Sequence, residues 1–179
     1  MGNKRYTGNW NSVNTHTVPK WYEDCKFGIF IHWGIYSVPA FAPHTWELGE
    51  VDSKEWFADN PYAEWYYNSL NIGKGPTYEH HMEKYGKDFK YEDFIPMWKA
   101  ENWDPKQWAE IFKEAGAEYV VLTTKHHDGF CLFPSKYTHF NSVEMGPKRN
   151  ITGELTEAVR DAGCLLYTSP SPRDLSTSR

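Results

Sequence analysis

Tyr119–Phe130 reads YVVLTTKHHDGF: an apolar, β-branched run that ends abruptly in Lys125-His126-His127-Asp128-Gly129. A run of that length and composition, closed by a turn-forming Asp-Gly pair, is read as a buried strand rather than a helix. Two imidazoles and a carboxylate therefore stand where a strand leaves the core.

Working outward, Asp104-Pro105 before the run is an N-cap followed by proline at the first helical position. Trp108, Ile111, Phe112 and Ala115 then fall on one helical face, and Gly116 stops the helix. Further back, Lys26–Trp33 (KFGIFIHW) is a second apolar strand. It opens into a long polar, proline-bearing loop over 35–60, then short helical pieces at Tyr62–Leu70, Thr77–Tyr85 and Tyr91–Trp98. Beyond the opening stretch, 125–150 is loop. Thr152–Ala162 is a helix with Thr152 as its cap, an apolar face of Leu155, Ala158, Val159 and Ala162, and Gly163 as its stop. Strand, long loop and helix, used twice, give an α/β chain with a parallel sheet covered by helices. The long first loop favours a barrel with an elaborated rim. Both polar clusters, His32-Trp33-Gly34 and 125–129, follow the carboxyl end of a strand, where such folds build their sites.

Composition narrows the function classes. The chain has 179 residues and a formal charge of -5, so it carries no basic footprint for nucleic acid or anionic membrane. Its longest apolar runs are far too short to cross a bilayer. The first twenty residues contain no apolar stretch of the kind a secretory signal needs, so the expected location is cytoplasmic. Cys25, Cys131 and Cys164 are scattered and form neither a zinc motif nor a disulfide framework. Aromatic residues reach 17%, with 9 tryptophans. Sugar sites use such rings, because the apolar face of a pyranose packs on them, although most of the nine are expected in the core.

The sequence from Cys164 to Arg179, CLLYTSPSPRDLSTSR, breaks with what precedes it. An α/β chain should supply a buried strand there, whereas a Ser/Pro/Thr/Arg tract has no strand period. The words also resemble the in-frame translation of a sequencing-library adapter. The expected organisation is thus 1–163 as one native unit, with 164–179 a read-through tail that contributes no strand.

Among the chemistry-bearing residues, adjacent side chains in extended chain point to opposite sides, so His126 and His127 are poorly placed to share a metal ion. Neutral imidazoles each offer one donor and one acceptor, which suits hydroxyl groups. Glu64-Trp65 is either a solvated helix residue beside a packed ring or a carboxylate and an aromatic platform for a sugar; spacing leaves both open. There is no GxSxG, and GKGP at Gly73–Pro76 lacks the length and the Ser/Thr of a phosphate loop.

Taken together, WYEDCKFGIFIHWGIYSVPAF, AEWYYNSL and WDPKQWAEIFKEAGAEYVVLTTKHHDGFCLFPSKYTHFN resemble the N-terminal half of the catalytic domain of α-L-fucosidases, family 29 of the glycoside hydrolases. The resemblance runs from about Trp21 to Gly163. It implies an incomplete (β/α)8-type, TIM-like barrel and retaining hydrolysis of terminal α-L-fucosyl residues from fucosylated glycans, with no cofactor and no metal. It also implies that His32, Glu64, Trp65, His126 and His127 bind the sugar. The nucleophilic Asp and the acid/base Glu of the family lie on later strands, beyond Gly163, so no catalytic residue is expected here and the chain alone should be inactive. Asp128 is expected to fix the loop or a ring tautomer. Two rivals remain: a non-catalytic carbohydrate-binding protein on the same scaffold, and a metal-dependent hydrolase centred on His32, His126 and His127.

Overall fold

A computed structural model describes residues 6–44, 52 and 55–168. Three strands, β1 (Gly28–Ile31), β2 (Tyr119–Leu122) and β3 (Leu165–Thr168), form a parallel sheet in the order β1-β2-β3. Gly28 pairs with Tyr119 and Ile31 with Leu122; Tyr119 in turn pairs with Leu165 and Leu122 with Thr168. The first two strands lie where the apolar runs place them.

The third strand corrects the expectation that 164–179 contributes none. Leu165-Leu166-Tyr167-Thr168 is apolar and strand-favouring in itself, and the first proline of the tract comes only at Pro170. Cys164 is buried, its thiol donating to the Ala117 carbonyl at 3.2 Å, and the Leu165 N–H donates to the Glu118 carbonyl at 3.0 Å. Residues 169–179 lie outside the described residues.

Six α-helices occur among the described residues: α1 (Trp10–Val13), α2 (Lys20–Asp24), α3 (Tyr66–Asn71), α4 (Pro76–Lys84), α5 (Pro105–Glu114) and α6 (Ile151–Asp161). The expected helix at Tyr62–Leu70 is a 3-10 turn, Ala63–Trp65, running into α3, and the piece at Tyr91–Met97 is a 3-10 helix. Asp104 caps α5 as expected, accepting from Lys106 N and Gln107 N at 3.0 and 3.1 Å. At its other end Gly116, with φ 82°, lets Ala117 N reach the Phe112 carbonyl at 2.9 Å, the bond that closes a Schellman turn. The buried face of α5 is turned from the expected one: Ala109 and Phe112 are buried, whereas Ile111 is 52% exposed. For α6 the cap is Asn150, not Thr152: Asn150 Oδ1 accepts from Gly153 N at 3.0 Å, and Thr152 lies within the first turn, its N–H donating to the Leu132 carbonyl at 2.9 Å.

Val120 and Leu122 on one face of the sheet join Ala109, Phe112, Leu155, Ala158 and Val159 in a continuous core. Trp33, Trp98, Trp103 and Trp108 extend it, with ring centroids 4.8–5.4 Å apart across the contacting pairs. On the opposite face Gly28, Phe30, Tyr119 and Val121 line an open apolar cleft of about 620 Å³ with Trp21 and Tyr22. Alternate residues thus serve two apolar surfaces, one packed in the core and one left open, with Phe30 57% exposed. No helix among the described residues is long and apolar enough to cross a membrane.

Candidate functional site

The site lies where β1 and β2 run out at their carboxyl ends. His32 follows β1 directly, and His126 and His127 follow β2 after Thr123, Thr124 and Lys125. The 3-10 turn Ala63–Trp65 brings Glu64 and Trp65 to the same place. All five residues singled out in the sequence therefore meet, although they come from three separate segments.

Their geometry is close. The His32 and His126 rings stand 5.5 Å apart at 76°, and His126 meets Trp65 at 5.9 Å and 88°. Trp65 stacks on His127 at 4.2 Å with the planes 29° apart. The two neighbouring imidazoles are perpendicular with centroids only 4.9 Å apart, and both touch Trp65, so they converge. This corrects the expectation that they point to opposite sides, because the chain has left the extended strand and turns at His127. The rings of Trp56 and Phe57 also pack against Trp65, at 5.3 and 5.7 Å, and help to fix the indole's position. His32, Glu64 and His126 each offer a polar atom, and the three atoms lie within 4.8 Å of one another. One small polar group can touch all three. A divalent cation would draw them closer, since tetrahedral zinc ligands stand roughly 3.3 Å apart.

Electrostatics favours neutral groups at the centre. Burial pushes the His126 imidazole down to about 4, with His127 and His32 adding to the effect and the Glu64 backbone opposing it. His126 is thus an uncharged donor and acceptor at neutral pH. Tyr36, packed on His126 at 5.6 Å, has its phenol raised far above the ordinary range by burial and by the charges of Asp128 and Glu64. Among the described residues, Tyr36 Oη and His126 Nδ1 are buried without a hydrogen-bond partner.

Asp128 is the one carboxylate among the buried residues described. Its Oδ2 accepts from the Tyr91 hydroxyl at 2.8 Å and its Oδ1 from Phe130 N at 3.1 Å. Burial raises it to about 6 against the pull of those two bonds and of Lys125. It fixes the loop, as expected, and the bonds that do so run to Tyr91 and Phe130. Tyr36 and Tyr91 escape a reading of the sequence, because neither lies at a strand end or in a motif of its own.

Comparison with known proteins decides what this arrangement belongs to. The family model described as alpha-L-fucosidase matches residues 1–178. The chain belongs to the α-L-fucosidase family. An alpha-L-fucosidase of Dictyostelium discoideum is 41% identical over 164 residues, 89% of this chain and 32% of that protein. A Thermotoga maritima alpha-L-fucosynthase, solved with alpha-L-Fuc-(1-2)-beta-L-Fuc-N3, superposes with a TM-score of 0.84 at 53% identity, covering 99% of this chain and 44% of the other. The Thermotoga maritima alpha-fucosidase solved with fucose gives 0.79 at 52% identity, over 96% and 42%. The chain thus spans about a third of the length of the curated fucosidase and under half of the solved ones.

Proposed function

We propose that this chain forms the first part of a (β/α)8 barrel of an α-L-fucosidase and that His32, Glu64, Trp65, His126 and His127 bind the terminal α-L-fucosyl residue of a fucosylated glycan. The observation that carries this reading is the convergence of His32, Glu64 and His126 polar atoms within 4.8 Å, beside the Trp65–His127 stack. A sugar presents hydroxyls on its rim and a C–H face above and below. Imidazoles and a carboxylate answer the hydroxyls, and the part of the indole that His127 leaves uncovered offers an apolar contact to the C–H surface.

In the whole enzyme the reaction is retaining hydrolysis through an Asp nucleophile and a Glu acid/base, a pair about 5–5.5 Å apart. The residues present here position the sugar and favour its transition state, but they do not break the bond. Asp128 does not substitute for either carboxylate, since its two oxygens are engaged by the Tyr91 hydroxyl and by Phe130 N.

The test is calorimetric titration of the 179-residue chain with L-fucose, beside an assay with a chromogenic aryl α-L-fucoside. Binding that is lost in His126→Ala, with no hydrolysis above that variant, is expected. Absence of binding contradicts the site, and hydrolysis above the variant contradicts the division of labour.

A further inference from the structure

We propose that Tyr91 is a positioning residue that holds the two halves of the site in register, through its hydroxyl on one side and its ring on the other. The halves are distant in sequence: Glu64-Trp65 stands before α3, and His126-His127 follows β2. Tyr91 reaches both. Its hydroxyl donates to Asp128 Oδ2 at 2.8 Å, and Asp128 is the next residue after His127. Its ring packs on Tyr67 at 4.8 Å and faces Tyr66 at 6.5 Å with the planes 30° apart, and these two residues directly follow Trp65. Tyr91 is itself 2% exposed, at the first position of its 3-10 helix, whose entry is held by Lys90 N donating to Asp93 Oδ2 at 2.7 Å.

This placement makes Tyr91 a strut. The Trp65–His127 stack and the His126–Trp65 contact join groups with no covalent link for about sixty residues. Ring-to-ring contacts alone slide easily, because stacking is tolerant of offset. A hydrogen bond to a buried carboxylate is directional and costly to leave unmade. Tyr91 supplies that fixed point for the histidine loop, while its ring sets the distance to α3. The carboxylate's second bond, from Phe130 N at 3.1 Å, then fixes the loop on the far side of the histidines. Removing the Tyr91 hydroxyl leaves the core packing in place but frees the loop to shift against Trp65.

The proposal deepens the sugar-site reading and rests on it for one of its two readouts. The experiment uses the 179-residue chain with 15N-labelled histidine rings and tryptophan indoles, as wild type, Tyr91→Phe, Asp128→Ala and the double variant. Circular dichroism and the melting midpoint check folding. In Tyr91→Phe the His126 and His127 ring resonances are expected to move, and in Asp128→Ala the Trp65 indole resonance as well, although Trp65 lies in the other half. L-fucose affinity is expected to fall roughly tenfold in Tyr91→Phe, the effect of one lost hydrogen bond to a charged group, and by at least as much in Asp128→Ala, which also loses the bond from Phe130 N. The double variant should add little to Asp128→Ala, since that change already deletes the bond that Tyr91→Phe removes. Unmoved ring resonances in Tyr91→Phe together with an unmoved Trp65 in Asp128→Ala overturn the proposal, as do additive losses in the double variant. Moving resonances in a chain that does not bind L-fucose sustain the strut and overturn the sugar reading instead.

Discussion

Trp65 stacks on His127 with ring centroids 4.2 Å apart and planes 29° from parallel, although the two residues come from different loops of the α/β unit. His127 covers one face of the indole, and Trp56 and Phe57 pack against the same ring at 5.3 and 5.7 Å, so its orientation is fixed before any ligand arrives. Such preorganisation lowers the ordering cost of binding.

Trp65→Ala should therefore weaken L-fucose binding more than Trp65→Phe does. Loss of the ring costs about 1–2 kcal/mol of aromatic packing, or a roughly five- to thirtyfold change in Kd. Titration calorimetry of the two variants checks this. Equal affinities in both would show that the indole does not pack on the sugar.

His126 makes stability depend on pH in one direction. Its folded value of about 4 lies below the ordinary 6.5, so between those values the unfolded chain binds more protons than the folded one. Stability then rises with pH across that window and is lost on acidification. In His126→Asn this contribution should vanish. Urea unfolding at pH 4.5 and 6.5 measures it.

Asp128 acts in the opposite direction. Its folded value of about 6 lies above the ordinary 3.8, so the folded chain binds the extra proton and stability falls as pH rises from about 3.8 to about 6. In the native protein the two slopes oppose each other over nearly the same range. Asp128→Asn should expose the His126 slope, and His126→Asn should expose the Asp128 slope. Urea unfolding of the two variants across that range separates them. The same slope in both would contradict the assignment of the two groups.

Gly28 and Tyr119 are register partners in the parallel pair β1–β2, and the tyrosine ring lies over the glycine. A Cβ at position 28 would meet that ring at 2.2 Å. Tyr119 is in turn packed by Tyr22 at 6.2 Å, which limits where the ring can go. Gly28→Ala should cost about 1–3 kcal/mol through overpacking. In a Tyr119→Ala background the same substitution should cost little, a non-additivity that thermal melts of the two single variants and the double variant would show.

Much of this was legible in the sequence, and the limits have physical causes. KFGIFIHW and YVVLTT announce strands because their side chains serve apolar surfaces on both faces of the sheet, so nearly every position is apolar. His32, His126 and His127 can be placed together because strand ends of a parallel sheet share one edge. Glu64-Trp65 leaves two readings open, since a 3-10 turn has no periodic signature; only the fold brings it beside the histidines. The strand at Leu165–Thr168 is hidden by the prolines and serines after it, which dominate any window that includes them. Asn150 and Thr152 are both good caps two residues apart, and no local pattern chooses between them. The Tyr91–Asp128 bond joins residues 37 apart with no local pattern to mark it.

The central claim is that the three segments around His32, Glu64-Trp65 and His126-His127 form one stereospecific sugar site. The most direct measurement is nuclear magnetic resonance of the histidine rings and the Trp65 indole during titration with L-fucose and, separately, with its mirror image D-fucose. The expected result is a saturable movement of the His32, His126, His127 and Trp65 resonances together with L-fucose, and none with D-fucose at the same concentrations. Resonances that stay still, or that answer both enantiomers alike, would contradict the account.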